Sequence, residues 1–211
     1  LAWSRGLGDV YKRQQLNKQN GTDYSICLLE KGSEIGAHIL SGNVFQPNAL
    51  DELIPNWKEL NAPLNVPVTK DKIYYLLKNI GIPVPTFVMP NLNNHGNYVI
   101  SLGNLCRWLG EQAENLGVEV FPGFPASKLI FENDEVVGVQ TGDMGVSESG
   151  ELKPGHELGI EIKAKMTILG EGCRGHLGKQ IINKYNLSDG KDPQHYGIGF
   201  KEVWKLKPEN H

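Results

Sequence analysis

The stretch that most constrains this sequence is a short apolar run ending on an acid. Residues 24–30 read Tyr-Ser-Ile-Cys-Leu-Leu-Glu and are followed at once by Lys31-Gly32. A run of that length bounded by turn formers is strand-like, and the polar residues 15–21 ahead of it suit a helix. Helix then strand is the second half of a β-α-β unit, in which parallel strands are joined by a helical crossover. An acid at the carboxyl end of the second strand of such a unit can accept hydrogen bonds from a ribose diol, and Glu30 holds that position. Exposed acids at strand ends are common, so Glu30 alone carries little weight.

A glycine fingerprint is expected roughly 20 residues ahead of that acid, which falls on residues 1–14. They read Leu1-Ala-Trp-Ser-Arg-Gly-Leu-Gly-Asp-Val-Tyr-Lys-Arg-Gln14 and show no amphipathic period, cap or strand alternation. They are not expected to introduce the helix that follows. The run Asp9-Val-Tyr-Lys-Arg-Gln14 resembles one reading frame of a transposon-end adapter, so residues 1–14 are expected to be foreign to the rest. The chain is accordingly expected to be interrupted at both ends.

Composition narrows the class. The 211 residues are 39% hydrophobic and 21% charged, enough for one medium domain or two small ones. A formal net charge of -3 provides no electrostatic footprint for nucleic acid, and no apolar stretch is long enough to span a bilayer. Cys27, Cys106 and Cys173 form no Cys-x-x-Cys pair and are expected to be buried thiols. The 25 glycines and 12 prolines fit an α/β chain with many tight turns better than a helical bundle.

Residues 32–42 place small residues in a loop where backbone can approach a flat ring or a phosphate. Residues 48–61 and 70–79 read as short amphipathic helices within a proline-rich insertion spanning residues 45–100. Residues 80–90, Ile-Gly-Ile-Pro-Val-Pro-Thr-Phe-Val-Met-Pro, are apolar and broken by proline. They suit a buried strand pair or a membrane-facing hairpin, with core burial as the default. Residues 101–116 follow a helical period stopped by Gly117, ahead of a strand at 118–121. Residues 127–141 read as a hairpin around Asn133-Asp134, and 160–169 as a further strand.

Gly170-Glu-Gly172-Cys-Arg-Gly175 matches the dinucleotide glycine pattern, after a strand at 166–169 and before a helix at 176–185. No acid-tipped second strand follows it, because Asp189 and Asp192 lie in a Gly- and Pro-containing loop. The pattern instead resembles the second motif of many FAD-dependent enzymes, an acid-glycine turn whose amides meet the pyrophosphate.

Several blocks in order carry a wider resemblance. They are Leu29-Glu-Lys-Gly-Ser-Glu-Ile-Gly-Ala-His-Ile-Leu-Ser-Gly42, Asn94-His-Gly-Asn-Tyr98, Glu111-Gln-Ala-Glu-Asn-Leu-Gly-Val-Glu-Val120, Thr141-Gly-Asp-Met-Gly145 and Pro193-Gln-His-Tyr-Gly-Ile-Gly199. Through them the chain from Gln15 onward resembles the amino-terminal half of the electron transfer flavoprotein:ubiquinone oxidoreductase family of monotopic membrane flavoproteins.

The resemblance implies an α/β fold with α+β character, a partial two-dinucleotide-binding, Rossmann-like FAD domain with a β-meander and an inserted quinone- or membrane-side region. Residues 15–44 and 101–190 would form the FAD domain, 45–100 the insertion, and 191–211 the start of a further domain. FAD contacts are implied at Glu30, Lys31, Gly32, Gly36, Ser41, Gly42, Ala126, Gly170, Glu171 and Gly172. The implied partners are electron transfer flavoprotein, ubiquinone and a membrane surface, at a bacterial or mitochondrial inner membrane. The family's 4Fe-4S cluster is implied for the longer protein only, since the three cysteines match none of its positions. No acid-base residue is nominated, because the flavin carries the redox chemistry. His38 is placed in the flavin-side loop, His95 is expected to be structural, and Arg107 is expected on the surface. The alternatives are an FAD-dependent reductase of the geranylgeranyl-reductase type, and a chain that is catalytically inert as it stands.

Overall fold

A computed structural model describes residues 2–39, 42–85, 87, 92–147, 149–198, 200, 202, 205 and 207, with side chains from residue 6 onward. Ser41, Gly199 and most of 201–211 lie outside the described residues, as do positions 86 and 88–91 of the proline-broken run.

In chain order the elements are α1 (Ala2–Asn20), β1 (Cys27–Glu30), β2 (Asn43–Phe45), α2 (Asn48–Leu53), β3 (Val66–Pro67), β4 (Ile73–Leu76), β5 (Gly81–Val84) and β6 (Tyr98–Ile100). They continue with α3 (Leu102–Asn115), β7 (Glu119–Pro122), β8 (Ala126–Glu132), β9 (Glu135–Thr141), β10 (Met144–Val146), β11 (Leu152–Glu157), β12 (Glu161–Lys163) and α4 (His176–Lys184).

The best-determined element from sequence is α3. Its N-cap Ser101 accepts a hydrogen bond from Asn104 N at 3.3 Å. Leu102, Leu105, Cys106, Leu109 and Ala113 recur at helical spacing and are buried. Gly117, at φ 98°, ends the helix in a Schellman arrangement, with Gly117 N bonded to Glu114 O and Val118 N to Ala113 O. The chain thus reverses into β7, which pairs parallel with β1 in the register Cys27↔Glu119 to Glu30↔Pro122.

Residues 1–14 correct the expectation that they do not introduce the helix that follows. From Ala2 they belong to the same continuous helix as residues 15–20, and Leu7 and Tyr11 are buried in the main core with Leu105, Cys106 and Leu109. Spacing of i, i+4 brings Leu7 and Tyr11 to one face, which packs on α3. That core also holds Leu50, Ile54 and Trp57 from α2 and the turns after it, Leu64, and Ile100 from β6.

A second, smaller core holds Leu129, Val139 and Leu177, with Leu29, Leu169 and Ile181 packed against it. Its scaffold is the antiparallel sheet β12-β9-β8. The β8–β9 turn places Asn133 and Asp134 at φ 48° and 67°, the two left-handed residues a two-residue hairpin needs. The side chain of Gln180 docks α4 onto β8: its Oε1 accepts from Leu129 N at 3.2 Å and its Nε2 donates to Ser127 O at 3.1 Å.

Four further expectations are corrected. Residues 70–79 form β4 and the start of a hairpin with β5, because Ile73-Tyr-Tyr-Leu76 is β-branched and aromatic. The turn closes from Leu77 N to Ile80 O. The helix expected over 48–61 stops at Leu53 and gives way to turns. The strand expected over 160–169 is limited to β12, and 166–169 carry no strand pairing. Lastly, the run from residue 80 is not core, since Ile80, Ile82 and Phe87 are all exposed.

The Asn94–Tyr98 block anchors that hairpin. Asn94 N donates to Asp71 Oδ2 at 2.7 Å, Asn97 N to Asn94 O, and Val68 N to Asn97 O. Among the described residues no helix is long and apolar enough to cross a membrane.

Candidate flavin-contacting site

Glu30 ends β1 with only 6% of its surface exposed. One carboxylate oxygen, Oε1, accepts the Gly32 N–H at 2.5 Å. Burial raises the carboxyl above its ordinary range, opposed by that hydrogen bond and by the nearby charges of His38 and Lys31. The chain end of β1 is tied to the end of β7, with Phe124 N donating to Glu30 O and Gly123 N to Gly32 O. Glu30 is thus a fixed acceptor at the carboxyl end of a parallel strand, the place where open α/β sheets bind ligands.

The loop after it is built on glycine. Gly32 is buried, and a Cβ there would lie 3.0 Å from Glu30 Oε1 and 3.1 Å from Glu34 O. Gly36 adopts φ 82°, and a Cβ would sit 2.7 Å from the carbonyl oxygen of Gly103 in the first turn of α3. Only glycine at both Gly36 and Gly103 lets this loop lie on the start of that helix. Lys31 is exposed, and Gly42, at φ 81°, is exposed where the chain enters β2.

The late glycine turn is built around the Glu171 side chain. The Glu171 carboxylate accepts from His176 N and Leu177 N, each at 3.1 Å, and from Gly178 N at 2.8 Å. It caps α4 from outside the helix, since the N-cap residue Gly175 offers no side chain. Gly175 is required there because a Cβ would fall 2.5 Å from Glu171 Oε2. The amides of the first turn of α4 are therefore held by the protein's own carboxylate and are not offered to a phosphate. Those of Gly170, Glu171 and Gly172 take part in no hydrogen bond among the described residues.

These parts converge. A Cβ on Gly170 would stand 3.4 Å from Gly6 Cα in α1, and Leu29 and Leu169 share one hydrophobic cluster. The Glu30–Gly36 loop thus lies on the start of α3, the Gly170 turn lies on the start of α1, and the residues just before each, Leu29 and Leu169, pack against the same small core. Ala126 opens β8 two residues beyond the Phe124 that is bonded to Glu30.

His38 faces Glu30, while the His95 side chain has no described partner and only its backbone N–H is engaged, by Asn93 Oδ1. Arg107 is a surface residue, 3.8 Å from Glu34 and bonded to Asn104. Sequence reasoning missed Gly103, whose signal was a glycine inside the first turn of a helix, where alanine would serve better.

The cysteines correct an expectation as well: only Cys106 is buried, while Cys27 and Cys173 are exposed. Among the described residues, no three His, Cys, Asp or Glu side chains gather as a metal-binding set.

No family model matches the sequence. The fold is similar to that of THI4 from Thermovibrio ammonificans, with a TM-score of 0.50 at 17% identity over 85% of this chain and 58% of that one. The chain is 55% identical over 210 residues to an electron transfer flavoprotein-ubiquinone oxidoreductase of Pseudomonas aeruginosa, 50% identical to the mitochondrial enzyme of Dictyostelium discoideum, and 48% identical to that of Bos taurus. These alignments cover 98%, 98% and 95% of the chain but only 38%, 34% and 33% of the relatives. Over almost its whole length the chain is therefore homologous to a stretch, about a third as long as the full protein, of electron transfer flavoprotein-ubiquinone oxidoreductase.

Proposed function

We propose that this chain supplies flavin-contacting parts of an oxidoreductase that takes electrons from reduced electron transfer flavoprotein and passes them to ubiquinone. The observation that carries the reading is 45–55% identity along nearly the whole chain to proteins of that name from bacteria, a slime mould, plants and mammals.

The chemistry of the donor set fits FAD. Glu30 would accept from the ribose hydroxyls through the carboxylate oxygen not committed to Gly32, and the Gly170, Glu171 and Gly172 amides would face the phosphates. Lys31, Gly32, Gly36, Gly42 and Ala126 would line the approach to the cofactor; Ser41, implied with them by the resemblance, lies outside the described residues. FAD supplies two-electron and one-electron redox chemistry, and the chain supplies orientation and electrostatics. The cysteines here do not suit a 4Fe-4S cluster, since two are exposed and one is buried with no metal-binding set among the described residues. No step is assigned to a cluster on these residues.

The β4–β5 hairpin is the membrane-side element of this reading. Tyr75, Leu76, Leu77, Ile80 and Ile82 are exposed there, with Lys70 and Lys72 exposed ahead of β4 and Lys78 exposed in the turn. Exposed apolar side chains interleaved with lysines suit an interfacial anchor.

Titrating FAD into the chain and following quenching of flavin fluorescence tests the site. Saturable quenching is expected, weakened about tenfold by Glu30→Ala, as for loss of a charge-assisted hydrogen bond. Equal quenching by both proteins, or none that saturates, would refute the assignment.

A further inference from the structure

Asn20 closes α1 and Gly21 follows it, and no other asparagine in the chain precedes a glycine. Both residues are exposed, Gly21 has φ 64°, and a Cβ added there would meet nothing within 4 Å. Among the described residues, neither the Asn20 side chain nor the Gly21 N–H enters a hydrogen bond. A carboxamide and a main-chain nitrogen able to attack it thus stand together, unshielded and uncommitted.

The neighbouring asparagine shows the opposite condition. Asn17 is buried, its Nδ2 donates to Gln14 Oε1 at 2.9 Å and to Tyr24 O at 2.8 Å, and its Oδ1 accepts from Thr22 Oγ1 at 2.9 Å. Thr22 N donates to Asn17 O at 3.0 Å. These bonds tie the chain on both sides of Asn20 and Gly21, so the two residues between can turn without unwinding α1. Helix ends fray, and glycine adds backbone freedom. The torsion that brings Gly21 N onto Asn20 Cγ therefore opens a single terminal residue.

Asp189-Gly190 is a comparison within the same molecule. Gly190 is exposed at φ 66° in open space, and its N–H enters no hydrogen bond among the described residues. The backbone matches that of Gly21. The side chain does not, because a carboxylate is a poorer electrophile than a carboxamide and has no ammonia to lose.

We propose that Asn20 is a self-modification site, converted to aspartate and isoaspartate by attack of the Gly21 main-chain nitrogen. The bond from Gly21 N to Asn20 Cγ forms, the bond from Cγ to Nδ2 breaks, and ammonia leaves with the proton from Gly21 N. Water then opens the cyclic imide. Cleavage between Gly21 N and Cγ gives aspartate, and cleavage between Gly21 N and the Asn20 main-chain carbonyl carbon gives isoaspartate. No oxidant, metal or cofactor enters. The new carboxylate sits at the negative end of the α1 dipole, where Lys18 is the basic residue of the last turn. Isoaspartate also lengthens the main chain between α1 and β1. The site precedes the amino end of β1, away from Glu30 at its carboxyl end, and rests on nothing in the flavin reading.

The test incubates the purified 211-residue chain at neutral and mildly alkaline pH and follows its peptides by mass spectrometry. Asn20 is expected to convert at least about tenfold faster than any other asparagine and than Asp189. The rate should rise with pH, and two products of equal mass should take up heavy oxygen from labelled water. Conversion in the folded chain should stay within about tenfold of that in a synthetic peptide spanning residues 15–25, since only a fraying end must open. Asn20→Gln, which must close a larger ring, should abolish conversion at this position, and Gly21→Ala should slow it at least about tenfold in chain and peptide alike. Neither residue belongs to either core. The converted chain should elute as a more acidic species and unfold at a lower temperature than the fresh one. Three results would overturn the proposal: conversion of the peptide but not of the folded chain, equal conversion of Asn20 and the other asparagines, or a rate that Gly21→Ala leaves unchanged.

Discussion

At the scale of single residues, the carboxyl end of β1 concentrates the consequences. Gly36 and Gly42 share a left-handed backbone, at φ 82° and 81°, but only Gly36 also has a carbonyl in the path of a Cβ. Gly36→Ala should cost about 2–4 kcal/mol in urea unfolding and Gly42→Ala about 1 kcal/mol, the difference being the clash with Gly103. Equal costs would contradict that packing. Glu30 has a raised carboxyl in the folded chain, so the fold favours its protonated form. Its contribution to stability is greatest below the unfolded carboxyl range and declines as pH rises through the folded value. Thermal unfolding of Glu30→Gln should lack that decline between acid and neutral pH. Cys106 is fully buried, and burial pushes its thiol up to about 11. A thiol reagent at neutral pH should modify Cys27 and Cys173 and spare Cys106 until the protein unfolds. Glu30 could be read from the sequence because its position follows from a strand and a turn, both local. The capping role of Glu171 could not, because its partners are His176, Leu177 and Gly178, beyond a glycine turn whose shape no local pattern specifies.

At the scale of elements, legibility followed amphipathicity. In α3 the cap, buried stripe and stopping glycine all agree, and the β8–β9 turn announces itself through Asn133-Asp134. By contrast, residues 70–79 carry apolar residues compatible with a helix face, but Ile73, Tyr74 and Tyr75 favour the pleated strand they form. Residues 166–169 have strand character and lack a ladder, since pairing depends on a neighbour that no local signal reports. The first helix is the sharpest case. Among residues 6–14, whose side chains are described, Leu7 and Tyr11 are the ones buried in the core, and a two-residue stripe falls below what periodicity resolves. Leu7→Ala should therefore destabilise the fold by about 2–4 kcal/mol, as for a buried leucine, measured by urea unfolding. A cost below about 0.5 kcal/mol, typical of a surface change, would mean that the helix does not dock on α3.

At the scale of the whole molecule, the two cores bury what the helices and the β-meander need, yet much apolar surface faces outward. A dense concentration among the described residues is the β4–β5 hairpin, where Leu76 is 76% exposed and Ile80 62%. Pro83 sits in β5 opposite Tyr74, and a proline there breaks the outer edge against further strand pairing. The hairpin is thus guarded against edge-to-edge aggregation while its apolar side chains stay available. Asp71 and Asn94 brace its base against the rest of the fold, so the tip can be altered without touching either core. Replacing Leu76 and Ile80 together by serine removes about 1.5–3 kcal/mol of burial for each side chain that enters the interface. Co-sedimentation with liposomes containing anionic lipid should then weaken at least about tenfold, with urea stability unchanged to within about 0.5 kcal/mol. High salt should weaken binding of the unaltered chain through Lys70, Lys72 and Lys78, and should not abolish it. Equal sedimentation of both proteins would remove the hairpin from the membrane side of the molecule and leave its exposed residues to a protein partner.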